Sequence, residues 1–283
     1  SRAKIMQIIF YTLSIFLIFI IAIFFYTWVE LHKSLRLHIN LRKPKLEKDL
    51  KVIKKFLTTS DGIKIASWYM PVKNPKAVLI LVDGYKETEE DKVRMFGHAE
   101  YLRKAGYSTL LIDLRSFGES SGNKITFGIN EWKDIDTAYN YVKSLEENKN
   151  KKIGFLGISM GGVIAILTKG ITGKGDFIIA STPYANFKSL FDFRIKKRGL
   201  PSFVFLLFLR AAALLELGLN YEYYSATNMV KKINVPILVT SAKHDQNVNL
   251  NDAKYLFDYA NKPKEYWQTN TSHRVFKDNP LEF

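Results

Sequence analysis

The chain has 283 residues, no cysteine, and 42 Lys+Arg against 27 Asp+Glu, a formal net charge of +15. The missing thiols exclude disulfides, thiolate nucleophiles and Cys-ligated metal centres together. The basic balance favours anionic surfaces such as lipid headgroups, and no zinc-ligand set or aromatic RNA-binding signature directs that charge toward nucleic acid.

The first element is an apolar helix. The 25 residues from Ile5 to Val29 carry no charge, and at 1.5 Å each they span about 37 Å, against a hydrocarbon core of about 30 Å. Tyr26 and Trp28 stand at one end like an interfacial belt. A cleaved signal peptide is the alternative, but the run exceeds a usual apolar core and Ile21 to Trp28 offers no Ala-x-Ala-like site. Residues 1–30 are therefore expected to be a single-pass membrane anchor, and 31–51 a basic membrane-proximal linker. Lys33, Arg36, Arg42, Lys43 and Lys45 follow the helix, while Arg2 and Lys4 precede it. Positive-inside counting places the domain in the cytoplasm, but long domains translocate regardless of such charges, so the side stays open. The segment from Lys33 to Lys55 lies against anionic headgroups or is a solvated linker.

A folded domain is expected over 52–283. Val52–Leu57 and Ile63–Tyr69 read as strands joined by the turn Thr59-Ser60-Asp61-Gly62. The pattern then alternates: strand Ala77–Val82, helix Asp91–Ala105, strand Ser108–Leu114, helix Glu131–Leu145. Strands at Ile153–Leu156, Phe177–Ala180, Ile237–Thr240 and Glu265–Trp267 extend it, with helices after Met160 and Asn249. This predicts an α/β fold: a mostly parallel sheet of about eight strands with helices on both faces. The segment from about 184 to 232 interrupts the rhythm and reads as a helical cap. Its stretch Pro201–Leu219 is apolar apart from Arg210 and Glu216, which argue against a second span; cap packing, an apolar substrate channel or membrane-dipping lid, and membrane insertion are the readings it allows.

Gly157-Ile158-Ser159-Met160-Gly161 follows the apolar run Lys152–Leu156 and precedes the small-residue helix start Gly162-Val163-Ile164-Ala165. Glycines on both sides let a strained strand-to-helix turn lift the Ser159 hydroxyl clear of the sheet. The Met160 N–H then stands at a helix N-terminus, suited to a developing oxyanion. A serine needs a base, and imidazole suits that work near neutrality. Of five histidines, His32 and His38 fall in the linker, His98 lies mid-helix and His244 precedes an acid; His273 follows the last strand. Asp245, just past the strand from Ile237, is the carboxylate expected to orient His273. Asp252 and Asp258 are weaker because both fall inside the next helix. The order Ser159, Asp245, His273 is that of one well-known hydrolase class.

On these residues the sequence resembles the α/β-hydrolase superfamily, and within it small bacterial membrane-associated serine esterases and acyl hydrolases. Asp113-Leu114-Arg115-Ser116-Phe117-Gly118-Glu119-Ser120-Ser121-Gly122 looks like the family's D-x-R-G-x-G-x-S-x-G loop, and Asp245-Gln246-Asn247-Val248 like its acid turn. The resemblance, running from about Val52 to Pro280, implies an α/β-hydrolase fold and a second oxyanion donor at the Tyr85 N–H. There are two departures. Asp83 stands where the family commonly has histidine, and Ser116 where it often has glycine, so that loop is expected to follow a different path. The expected activity is cleavage of carboxylic, lipid-like acyl esters through an acyl-enzyme on Ser159, with no metal or organic cofactor. A thioesterase acting on lipidated proteins, and a catalytically silent membrane-tethered binding protein with Asp83 as its mark, are the alternatives.

Overall fold

The computed structural model describes residues 2–36, 51–85, 91–273 and 275–279. Most of the expected basic linker, including Arg42, Lys43 and Lys45, lies outside them. The N-terminal helix α1 (Arg2–Leu35) reaches a mean hydropathy of 2.9 and is long and apolar enough to cross a membrane. It continues past the boundary expected at residue 30, because Thr27, Leu31 and Leu35 bury one face against the domain.

The domain holds β1 (Ile53–Thr58), β2 (Lys64–Met70), β3 (Val78–Val82), β4 (Ser108–Ile112), β5 (Ile153–Ile158), β6 (Phe177–Ser181), β7 (Ile237–Ala242) and β8 (Lys264–Thr269). They form one sheet in the order β1-β2-β4-β3-β5-β6-β7-β8. The two pairs involving β2 are antiparallel and the others parallel. The turn at Gly62 (φ 82°) closes the opening hairpin, where glycine takes the left-handed conformation without strain. Both faces of the central strands are covered, so they read as unbroken apolar runs. Val78, Ile80 and Val82 join the core on one face, and Leu79 and Leu81 the core on the other, as the two-residue period of a strand requires.

Helices α3 (Trp132–Ser144), α4 (Met160–Thr172) and α8 (Leu250–Tyr259) pack on the first face, through Ile135, Val163 and Leu256. On the second face α2 (Asp91–Lys104) contributes Met95 and Phe96, and the short α9 (Val275–Asp278) lies beside it, with Phe276 stacked on His98. His98 itself is buried. The cap consists of α5 (Phe187–Lys197), α6 (Ser202–Leu217) and the one-turn α7 (Ala226–Met229). Asn186 starts α5 with a capping box to Ser189. Asp252 ties this corner to α8 by accepting from Ala185 N (3.1 Å) and Ser189 Oγ (2.8 Å).

Glu216 of α6 fastens α1 to the cap. His32 Nδ1 lies 2.8 Å from its Oε1, and Arg36 Nη1 and Lys124 Nζ lie 3.0 and 3.3 Å from its Oε2. Burial alone would raise the Glu216 carboxyl, but hydrogen bonds from His32, Arg36 and Lys124 outweigh it and hold it down at about 2. A depressed carboxylate stabilises the folded form above its ordinary value of 4.5 and loses that contribution as pH falls through about 2. The wild type should therefore exceed Glu216→Gln in Tm at neutral pH and lose that margin between those two values. Thermal melts of both proteins across this range check it.

Candidate active site

The candidate residues leave the carboxyl ends of parallel strands, along the edge where open α/β sheets place ligands. Ser159 sits between β5 and α4 with φ 53° and ψ −117°, a conformation that costs a non-glycine residue about 1–3 kcal/mol. Its surroundings impose it. A Cβ at Gly157 would run into the Gly161 backbone, and one at Gly161 into the Val82 carbonyl. The Ser159 N–H donates to Ser181 O at 2.8 Å, pinning the turn to β6. Met160 opens α4, so its N–H belongs to the first turn, where amides have no intrahelical acceptor.

After β7, Asp245 Oδ1 accepts the backbone N–H groups of Asn247 (2.7 Å) and Val248 (3.0 Å), which closes the acid turn. Its Oδ2 accepts from His273 Nδ1 at 2.6 Å. The Asp245 side chain is 4% exposed and that of His273 13%, so the pair is shielded while the ring keeps an open side. The structure thus joins Asp245 to His273; among the described residues Ser159 Oγ makes no hydrogen bond to the imidazole. His244, the neighbouring histidine, pairs instead with Asn270 Oδ1 at 3.1 Å, Asp252 serves the cap, and Asp258 pairs with Lys254.

The opposite wall comes from β3. A Cβ on Gly84 would lie 3.0 Å from Ser159 Cβ, so glycine there lets the chain after β3 pass close to the serine. Asp83 is buried, and its Oδ1 accepts the Gly84 N–H at 2.7 Å. The Tyr85 ring stacks on Phe127 (centroids 5.4 Å apart), Arg194 of α5 stands over it at 5.9 Å, and its hydroxyl donates to Ser34 O of α1 at 3.0 Å.

These supports were not legible from the sequence. Phe127 takes φ 53° because buried Glu131 gathers its loop, accepting from Thr126 N (2.6 Å), Thr126 Oγ1 (2.8 Å) and Gly128 N (2.7 Å). In sequence Glu131 is merely an acid at a helix start. In the Asp113–Gly122 loop Ser116 adopts φ 67°, the left-handed conformation in which glycine is at ease. Its hydroxyl is buried and has no partner among the described residues. Ser116→Gly should stabilise the protein by about 1 kcal/mol, strain relief exceeding the added freedom of the unfolded chain. A rise in Tm of roughly 2–4 °C measures it.

Above the elbow, Val163 borders a small cavity of about 10 Å³ together with Phe127, Phe187 and Tyr221. Phe187 and Tyr221 also line a much larger cleft of about 690 Å³, walled by Phe203, Leu207 and Arg210 of α6.

The esterase Pf2001 of Pyrococcus furiosus superposes with a TM-score of 0.69 over 87% of this chain and 94% of its own, at 22% identity. The chain has the α/β-hydrolase fold. Acetyl xylan esterase 1 from Thermoanaerobacterium sp. JW/SL YS485 is also similar, with a TM-score of 0.64, 92% coverage of both chains and 15% identity. The family model described as serine aminopeptidase, S33, matches residues 73–200, which include the elbow and end before Asp245 and His273. Among curated proteins, the uncharacterized protein YqkD of Bacillus subtilis (strain 168) is 30% identical over 177 residues, 60% of this chain and 57% of that one. Polyketide transferase ATR5 of Stachybotrys chlorohalonatus is 25% identical over 137 residues, 47% of this chain and 44% of its own. The chain thus spans about half the length of the curated relatives it matches.

Proposed function

We propose that this α/β-hydrolase is a membrane-anchored serine hydrolase that cleaves carboxylic esters with lipid-like acyl groups. The observation that carries the reading is the 2.6 Å bond between His273 and Asp245, at the sheet edge that also presents Ser159 in its left-handed turn. His273 Nε2 takes the proton of Ser159 Oγ as the oxygen attacks the ester carbonyl carbon. The N–H groups of Met160 and Tyr85 hold the oxyanion. His273 returns the proton to the leaving alcohol, which leaves an acyl group on Ser159. A water then gives its proton to His273 and attacks the acyl carbon, and the acid departs as Ser159 regains its proton. Asp245 fixes the imidazole with Nδ1–H toward the carboxylate and stabilises the imidazolium. The length and apolarity of α1 support its role as the anchor, and the apolar wall of the large cleft supports an acyl substrate.

Labelling by a fluorophosphonate probe and turnover of p-nitrophenyl esters of graded chain length test this function. Both should be present in the wild type and absent from Ser159→Ala; equal labelling of the two would overturn the assignment. The family model's description brings peptide bonds in as a second reading. Faster turnover of an aminoacyl p-nitroanilide than of any p-nitrophenyl ester would favour it. Asp83 bears on the silent alternative: a wild type that hydrolyses nothing, beside an active Asp83→His, would mark the protein as a binder.

A further inference from the structure

Helices α1 and α6 run side by side in the same direction. Phe24 meets Phe208 with ring centroids 6.4 Å apart, and His32 meets Glu216. Both pairs are 184 residues apart, so the helices keep one register over at least two turns. On α1 the face turned to the domain includes Ile20, Ile23 and Phe24, all within the uncharged run. By the same offset the start of α6 at Ser202 stands level with Ile18. A bilayer core of about 30 Å takes roughly 20 residues of α1, Ile5 to Phe24, so the first two turns of α6 would lie beside lipid within about 10 Å of its boundary.

The surface of α6 suits that position. Phe203, Leu207, Ala211 and Leu215 are exposed at four-residue spacing, and Leu219 follows. Leading into this stripe are Lys196, Lys197 and Arg198, all exposed at the end of α5, with Lys196 also paired to Asp192 and Lys197 donating to Gln246 O. Long basic side chains beside an apolar ridge reach back to lipid phosphates while the ridge enters the acyl boundary. The large cleft opens at the same place, since Phe203, Leu207 and Arg210 line it together with Lys188.

We infer that the turn from α5 to α6 and the exposed ridge of α6 form a contact with an anionic leaflet, through which the acyl chain of a lipid passes sideways into the cleft. This rests on the reading of α1 as a membrane anchor. The occupant is lipid rather than a protein partner because the ridge continues an apolar helix of membrane length and is bordered by cations.

The cysteine-free chain allows a direct test. Single variants Ile15→Cys, Phe203→Cys, Leu207→Cys and Phe56→Cys, all at exposed apolar positions, are labelled with a small fluorophore. The full chain is then placed in phosphatidylcholine–phosphatidylglycerol vesicles that carry a nitroxide near the top of one acyl chain. The labels on Phe203→Cys and Leu207→Cys should lose at least about half of their fluorescence, as expected for residues buried 5–10 Å into the headgroup boundary. The label on Phe56→Cys, on the edge strand β1, should keep its signal. Quenching at Ile15→Cys with none at the two α6 positions overturns the inference and leaves the anchor standing. No quenching at Ile15→Cys overturns the anchor, and the leaflet contact with it. Equal quenching in pure phosphatidylcholine vesicles removes the anionic preference.

Discussion

Replacing Ser159 by alanine should lower ester turnover by about 10⁴-fold or more, leaving only the rate that binding and the oxyanion donors supply. The hydroxyl of Ser181, whose carbonyl meets the Ser159 N–H, is not placed to substitute. Ser181 Oγ accepts from Thr240 Oγ1 at 3.0 Å inside the sheet, away from the N-terminus of α4, where an oxyanion would be held. His273→Ala should cost nearly as much as Ser159→Ala, and the double variant little more than either, because nucleophile and base act as one unit. Asp245→Asn is expected to fall less far than the serine variant, since it weakens the orientation and charge balance of the imidazole without removing the base. Pre-steady-state and steady-state kinetics on a p-nitrophenyl ester measure all four. A Ser159→Ala protein that keeps a tenth of wild-type turnover after repurification would end the acyl-enzyme mechanism.

Arg115→Met should destabilise the fold by about 3–5 kcal/mol, the cost of leaving a buried charge without its partner. Arg115 is nearly enclosed. Its Nε and Nη2 lie 3.0 and 2.6 Å from Asp134 Oδ1, its Nη1 lies 2.8 Å from Asp61 Oδ2, and its backbone N–H donates to Asp134 Oδ2 at 2.9 Å. One guanidinium thus joins the hairpin turn, the loop after β4 and the first turn of α3. Methionine fills much of the same volume but strands Asp134, whose side chain is fully buried. The pair Arg115→Met/Asp134→Leu should recover much of the loss, because a packed apolar pair replaces a buried ion pair at little cost. Urea titrations of the three proteins separate these cases, and equal loss in single and double variants would assign the effect to packing. The Arg115 hydrogen bond also holds the Asp61 carboxyl well below its ordinary range. That share of stability is present above the ordinary value of 3.8 and is lost as pH falls.

The sheet was legible because its signals are local. Thr59–Gly62 is turn chemistry, the runs at Val78–Val82 and Ile153–Ile158 are strands covered on both faces, and the glycines around Ser159 answer to the crowding of one turn. Asp245 and His273 are candidates by their position after a strand, since the edge to which parallel strands deliver their loops follows from topology. Ser116 shows what residue identity leaves out: the left-handed conformation that glycine takes freely is held here by a serine, which bears the strain.

The sequence by itself determined the order of elements, the elbow, the residues eligible for the site and a helix of membrane length, because backbone conformation and apolar period are set by near neighbours. Only the tertiary structure decided what those elements touch. It brought Glu216 to His32 and Arg36, Glu131 under Phe127, the Tyr85 hydroxyl to Ser34, and α6 into register with α1. Such contacts join residues as much as 184 positions apart, and they form only where packing excludes water and makes an unpaired polar group costly. Spacing along the chain carries no trace of that condition.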